Sequence, residues 1–237
     1  MYLPFTYHYL LMLYSSLKDQ KRIFLKFSDT WDEKKDAVLV RHDVDVSLQM
    51  ALQMAQIEAK HGYPSTFFIM IDNELYNPYA VENKRIIHQI AECGHEIGLH
   101  FVPEFDSSGL LINQLKKDAV LLSEMTDLPI RSFSIHRPSP HVLNTEFLVK
   151  GFANAYESRY FSSDKYISDS NNNFRCGDPL GFINAFRGKM LQLCIHPIWW
   201  SEEERTPQEK IVTIIDELKD RNISYLKKIV KLANEFY

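Results

Sequence analysis

From Val38 onward, short runs of β-branched and aromatic residues alternate with stretches whose apolar positions recur every three or four residues. This alternation predicts a mostly parallel sheet with helices packed outside it, an α/β barrel-like arrangement. Ala37-Val-Leu-Val40 is a continuous apolar run suited to a strand covered on both faces, and it leads into the polar cluster Arg41-His-Asp-Val-Asp45. A helix is expected next. Ser47 stands at its N-cap, Leu48, Ala51, Leu52, Ala55 and Ala59 share one face, and Gly62 supplies a left-handed stop. The cycle repeats with a strand over Ser65–Ile71, a helix presenting Ile86, Ile87, Ile90 and Ala91 that stops at Gly94, and a strand over His95–His100. Leu111, Leu115, Ala119 and Leu122 mark another helix, followed by a strand over Ile130–His136. In the Tyr-, Ser- and Asn-rich stretch from Gly151 to Asp178, only short strands near Ala153 and Tyr166 are expected. Met190–Ile195 is the last strand. Thr206-Pro-Gln-Glu209 then combines a capping box with Pro at the first helical position, and Ile211, Ile214, Ile215 and Leu218 are expected to form a buried stripe.

A chain of 237 residues with 45% apolar content can fill one sizeable core. The expected organisation is a single domain over residues 1–237, with an N-terminal helical extension at about 5–20 and two C-terminal helices at about 207–236. Lys and Arg number 27 against 31 Asp and Glu, and the net charge of −4 gives no electrostatic reason to expect nucleic acid or an anionic membrane as partner. A small or neutral substrate fits better. Cys93, Cys176 and Cys194 are an odd set without C-x-x-C spacing, which argues for free thiols rather than a disulfide framework or a thiolate metal site. The N-terminal segment lacks a basic leader, a small-residue cleavage site and the apolar length of a membrane span, so a cytoplasmic location is expected. No feature of the sequence indicates an oligomeric state.

Four expected strands end in titratable side chains: Asp43 and Asp45, His100, His136 with Arg137, and His196. In parallel α/β architectures the carboxyl ends of the strands form one rim, where such enzymes carry out their chemistry. Asp43 and Asp45, at i and i+2, point the same way on an extended chain, and two close carboxylates destabilise each other unless a cation intervenes. A divalent metal on one carboxylate, with the other left as a base, resolves the conflict, and His100 is a natural second ligand. A purely structural alternative has Asp43 capping the following helix and Asp45 ordering the turn. Tyr76, Tyr160, Phe174, Trp199 and Trp200 lie near these motifs and can serve either as a platform for sugar rings or as core packing.

Arg41-His-Asp-Val-Asp45, Glu58-Ala-Lys-His-Gly62, Ser65-Thr-Phe-Phe68 and Gly94-His-Glu-Ile-Gly-Leu-His100 together resemble the polysaccharide deacetylase superfamily, the NodB-homology group that includes carbohydrate esterase family 4. The likeness is nearest to an uncharacterised branch associated with bacterial surface-polysaccharide biosynthesis, which carries His-Asp-Val-Asp and a late His-Pro-Ile-Trp-Trp, here His196–Trp200. It spans about Val38 to Trp200 and implies a distorted barrel of about seven strands. It further implies that Asp43 is the catalytic base, Asp45 and His100 are metal ligands, Arg137 positions the base, and His196 is the general acid. Asp169 is implied, on a looser alignment, to orient His196. The expected cofactor is one divalent metal, zinc foremost.

The sequence departs from the family at position 104, where a second histidine is usual and Glu104 stands instead. Glutamate binds zinc, so Asp45, His100 and Glu104 can form a three-ligand set. However, Pro103 disfavours a helical Val102, and on an extended chain His100 and Glu104 lie about 13 Å apart. His136, at the end of a neighbouring strand, is the alternative third ligand. The resemblance implies a hydrolase that removes an N-acetyl or related amide group from a sugar of a bacterial polysaccharide or its precursor. Two alternatives remain at this point: a metal-independent amidohydrolase on the same barrel, and a non-catalytic sugar-binding relative.

Overall fold

The computed structural model describes residues 4–104, 108–139, 143 and 148–236. Helix α1 (Tyr7–Asp19) precedes a short strand β1 (Ile23–Leu25), β2 (Ala37–Val44), α2 (Leu48–His61) and β3 (Thr66–Ile69). Then follow α3 (Val81–Glu92), β4 (Glu96–Phe101), α4 (Ser108–Thr126), β5 (Ser132–Ile135), β6 (Ala153–Asn154) and β7 (Tyr166–Ser168). The chain continues through α5 (Pro179–Ala185), β8 (Met190–Ile195) and a 3-10 turn at Pro197–Trp199, and ends in α6 (Pro207–Ile229) and a second 3-10 turn at Lys231–Glu235. Seven strands run β6-β5-β4-β3-β2-β8-β7, and β1 is an eighth, paired to the start of β2. All neighbours are parallel. This is the distorted barrel expected; β1 has only three residues, too few to show a period in the sequence.

Side-chain alternation divides the core in two. Ala37 and Leu39 pack inside the barrel with Phe27, Phe68, Tyr160 and Met190, whereas Val38 and Val40 face outward onto Leu10, Leu13 and Tyr14 of α1. On the other side Phe67, Ile97, Leu99 and Phe133 face α2, α3 and α4. Gly98 faces inward, where a Cβ would lie 2.5 Å from the Phe68 ring and 2.7 Å from Ser132 Oγ, so this position has room for no side chain. No backbone ladder joins β6 to β7 among the described residues. Instead the Gln192 side-chain amide donates to the Ala155 and Tyr160 carbonyls at 2.8 and 3.2 Å.

The helix boundaries follow local chemistry. Ser47 Oγ accepts from Met50 N–H, and Gly62 ends α2 at φ 73°. Thr206 and Glu209 form the expected capping box. Glu58 of α2 is buried outside the barrel, where it accepts from Tyr14 and Ser65 and pairs with His42, while His95 meets the same serine. Burial works to raise the Glu58 carboxyl, but His42 and the hydrogen bonds outweigh it and hold it below its usual range. These motif residues therefore tie α1 and α2 to β2 and β3.

The C-terminal expectation needs correction. One long helix, α6, stands where two were expected, and only a single 3-10 turn follows it. Its stripe is not buried as expected: Ile214 is buried, but Ile211 and Ile215 are 45% and 57% exposed. Helical period shows that residues share a face; it does not show that the face meets a partner.

Candidate active site

Strand β2 presents Arg41, Asp43 and Asp45 on the inward side at its carboxyl end, because alternate residues of a strand share one face. Asp43 is almost fully buried. One of its oxygens accepts from Ser134 Oγ at 3.1 Å and the other from Arg41 at 2.9 Å, with the Cys194 thiol 3.6 Å from the latter. Arg41 is itself held by Gln192 at 3.1 Å and by the Tyr156 hydroxyl at 2.8 Å, with its guanidinium over the Tyr156 ring. Burial alone would raise the Asp43 carboxyl, but Arg41, then His100 and His196, outweigh it and hold the group below the usual carboxylate range. The same burial pushes the Cys194 thiol up to about 12, so it is neutral at physiological pH. Asp43 does not cap α2, a role taken by Ser47.

Asp45, His100 and His136 come from the ends of β2, β4 and β5, and their donor atoms converge. Asp45 Oδ1 lies 3.1 Å from His100 Nε2 and 3.7 Å from His136 Nδ1, and the two nitrogens are 3.3 Å apart. Ligands at about 2.0–2.2 Å from a tetrahedral ion are spaced about 3.3–3.6 Å from one another. Despite this proximity, Asp45 Oδ1 is buried with no well-formed hydrogen bond, as expected of atoms aimed at a common point rather than at each other. The tautomer of His100 fits as well. Ser134 gives its hydroxyl hydrogen to Asp43 and therefore accepts from His100 Nδ1 at 2.7 Å, which leaves Nε2 without a proton and facing Asp45. The donor set therefore suits a zinc-type divalent ion with an open fourth position. Burial would raise the Asp45 carboxyl, but the adjacent His100 and His136 rings and the charge of His196 depress it strongly.

His196, at the end of β8, is fixed from behind. Asp169 is fully buried and accepts from His196 Nδ1 at 2.6 Å, from the His196 backbone N–H at 3.0 Å and from the Trp200 indole at 2.6 Å. Nε2 is thereby turned toward the site, 3.9 Å from Asp45 Oδ2. Burial pushes the imidazole down, but the Asp169 charge and hydrogen bond dominate, and the ring is raised to about 9. A shallow recess beside the end of β2 is lined by Asp43, Asp45, Ser47, Pro197 and Ile198.

The structure therefore brings together Asp43, Asp45, His100, His136, Asp169 and His196. Two expected residues lie apart. Glu104 is exposed, beyond the end of β4, and its backbone N–H donates to Gln114, so among the described residues the third donor near Asp45 and His100 is His136. Arg137 is exposed at φ 48°, and no ion pair joins it to Asp43 among the described residues; Arg41 takes the position expected for it. The i, i−2 spacing of Arg41 and Asp43 is the sequence signal that marks this pair. Of the five aromatics, Tyr76, Tyr160, Phe174 and Trp200 are buried, and only Trp199 is partly exposed. Cys194 sits beside Asp43, while Cys176 is exposed and Cys93 partly so, all three as free thiols.

No family model matches the chain. No curated protein matches it either. Among solved structures, it is similar to a family 4 carbohydrate esterase from Bacillus anthracis, with 17% identity, 89% of this chain and 86% of the other covered, and a TM-score of 0.47. It is similar to a polysaccharide deacetylase from Bacillus cereus at 16% identity, with 79% and 89% of the two chains covered and a TM-score of 0.47. A carbohydrate esterase family 4 pseudoenzyme from Bacillus anthracis is similar at 16% identity, with 88% and 76% covered and a TM-score of 0.45.

Proposed function

We propose that the protein is a metal-dependent hydrolase that removes an N-acetyl or related amide group from a sugar of a bacterial polysaccharide or its precursor. The observation that carries this reading is the set of three convergent donors, Asp45 Oδ1, His100 Nε2 and His136 Nδ1, beside a separate buried carboxylate. A zinc-type ion on these donors would polarise the amide carbonyl and acidify a water molecule. Asp43 is the proton acceptor; Arg41 and Ser134 hold its carboxylate in one orientation and keep it ionised at neutral pH. His196 is the proton donor to the departing amine, with Nδ1 engaged by Asp169 and Nε2 left for the substrate. Asp169 and Trp200 maintain that orientation. The choice of a sugar amide rests on the sequence motifs.

The test is acetate release from N-acetylated glucosamine oligomers by zinc-loaded protein. Asp43→Asn is expected to reduce kcat by about 10²–10⁴-fold. His136→Ala is expected to lose stoichiometric zinc, which Glu104→Ala retains. Activity that survives chelation, or zinc retained by His136→Ala, refutes the metal reading; full activity in Asp43→Asn refutes the assigned base.

A further inference from the structure

Alternation along β8 turns Gln192 and Cys194 to the inside of the barrel, on the face that continues to His196, and the register sets Cys194 beside Arg41 of β2. The Cys194 sulfur thereby lies 3.6 Å from Asp43 Oδ2. One donor atom each of Asp43, Cys194 and His196 lies within 4.8 Å of the other two. On His196 the available nitrogen is Nε2, because Nδ1 is engaged by the buried Asp169 at 2.6 Å. A carboxylate behind an imidazole is the arrangement by which metal-ligating histidines fix their tautomer. Sulfur and oxygen bound at about 2.3 and 2.1 Å to a tetrahedral ion stand about 3.6 Å apart, the spacing found between Cys194 and Asp43. None of the three side chains belongs to the set formed by Asp45, His100 and His136, and no C-x-x-C spacing announces such a mixed group.

From this grouping we propose that Asp43, Cys194 and His196 form a second metal site, one that takes a thiophilic divalent ion such as cadmium or excess zinc. The ion displaces the Cys194 thiol proton and the proton on His196 Nε2, both of which pass to solvent, and bonds form to the sulfur, the nitrogen and an Asp43 oxygen. A dication in place of two protons leaves the local charge unchanged, so the Arg41 guanidinium, 2.9 Å from Asp43 Oδ2, faces the same net charge as before. The Tyr166 hydroxyl, hydrogen-bonded to the sulfur, favours the thiolate. The shallow recess beside the end of β2 reaches Asp43 and supplies the way in. Occupancy holds both the proposed base and the proposed acid and so opposes turnover; that consequence rests on the hydrolase reading, whereas the binding does not.

Cadmium titration of the full chain, freed of metal and carrying Cys93→Ser and Cys176→Ser so that Cys194 is the one remaining thiol, tests this. The other donor set contains no sulfur, so an ultraviolet thiolate-to-cadmium charge-transfer band reports this site alone. The band is expected to saturate at one equivalent per chain, to vanish in Cys194→Ser, and to need about 10–100-fold more cadmium in Asp169→Asn, which takes the charge from behind His196. His136→Ala is expected to keep the band, with unchanged circular dichroism, while bound cadmium falls from two equivalents to one. A total of one equivalent in both proteins with the band intact refutes the Asp45, His100 and His136 site and supports this one. No band up to about 1 mM cadmium, a band lost in His136→Ala, or a band undiminished in both Asp43→Asn and His196→Ala overturns the inference.

Discussion

Replacing Asp169 with Asn removes the charge behind His196 and keeps the shape. In the native protein the imidazole is raised to about 9, against an ordinary value of about 6.5, so its protonated form is favoured by folding. At about 1.36 kcal/mol per unit, this contributes on the order of 3 kcal/mol. The sign follows from the direction of the shift. The contribution is complete below about pH 6.5, where the unfolded chain also holds the proton, and is lost as pH rises through about 9. In Asp169→Asn, burial acts without its main opposing charge, and His196 is expected to titrate about two units lower. At pH 8 the protonated fraction then drops from roughly nine-tenths to below one-tenth. Lys210, which burial pushes down to about 8, titrates in the same window with the opposite sign. The His196 Cε1–H resonance, followed by NMR on chelated protein, is therefore the direct assay, with urea unfolding at pH 6 and pH 9 in support. A wild-type ring that titrates near 6.5, or a variant ring that stays above about 8.5, refutes the argument.

Two further outcomes are expected. Gly98→Ala forces a methyl into the Phe68 ring and Ser132 hydroxyl and should cost about 1–3 kcal/mol, read as a lower thermal midpoint with the fold retained. Arg41→Met leaves Asp43 buried without its cation and should cost about 3–5 kcal/mol in urea unfolding, and adding Asp43→Asn should recover much of that loss; strictly additive effects would show that the pair is not coupled.

Strand-end chemistry was legible because parallel strands deliver their carboxyl ends to one rim, so Asp43, Asp45, His100, His136 and His196 could be grouped before any contact was known. Choosing between Glu104 and His136 was harder. It depended on where the chain travels after Phe101, and Pro103 reports only the local backbone. The Arg41 contact was hidden for a different reason: a cation inside a barrel looks like part of a polar run until the inward face of β2 is assigned. Cys194 lies on an ordinary apolar strand, and nothing in its immediate neighbours marks it as a companion of Asp43. For α6, period and capping identified the helix, but neither carries information about what covers it.

The seam spanned by the Gln192 amide bears on how the protein behaves among its own kind. A sheet closed all the way round has no free margin at a seam, whereas among the described residues this one has two there, and both are very short: β6 has two residues and β7 has three. Margins of that size expose too few unpaired amides to recruit a strand from a neighbouring molecule, so the ring can stay ajar without inviting edge-to-edge aggregation.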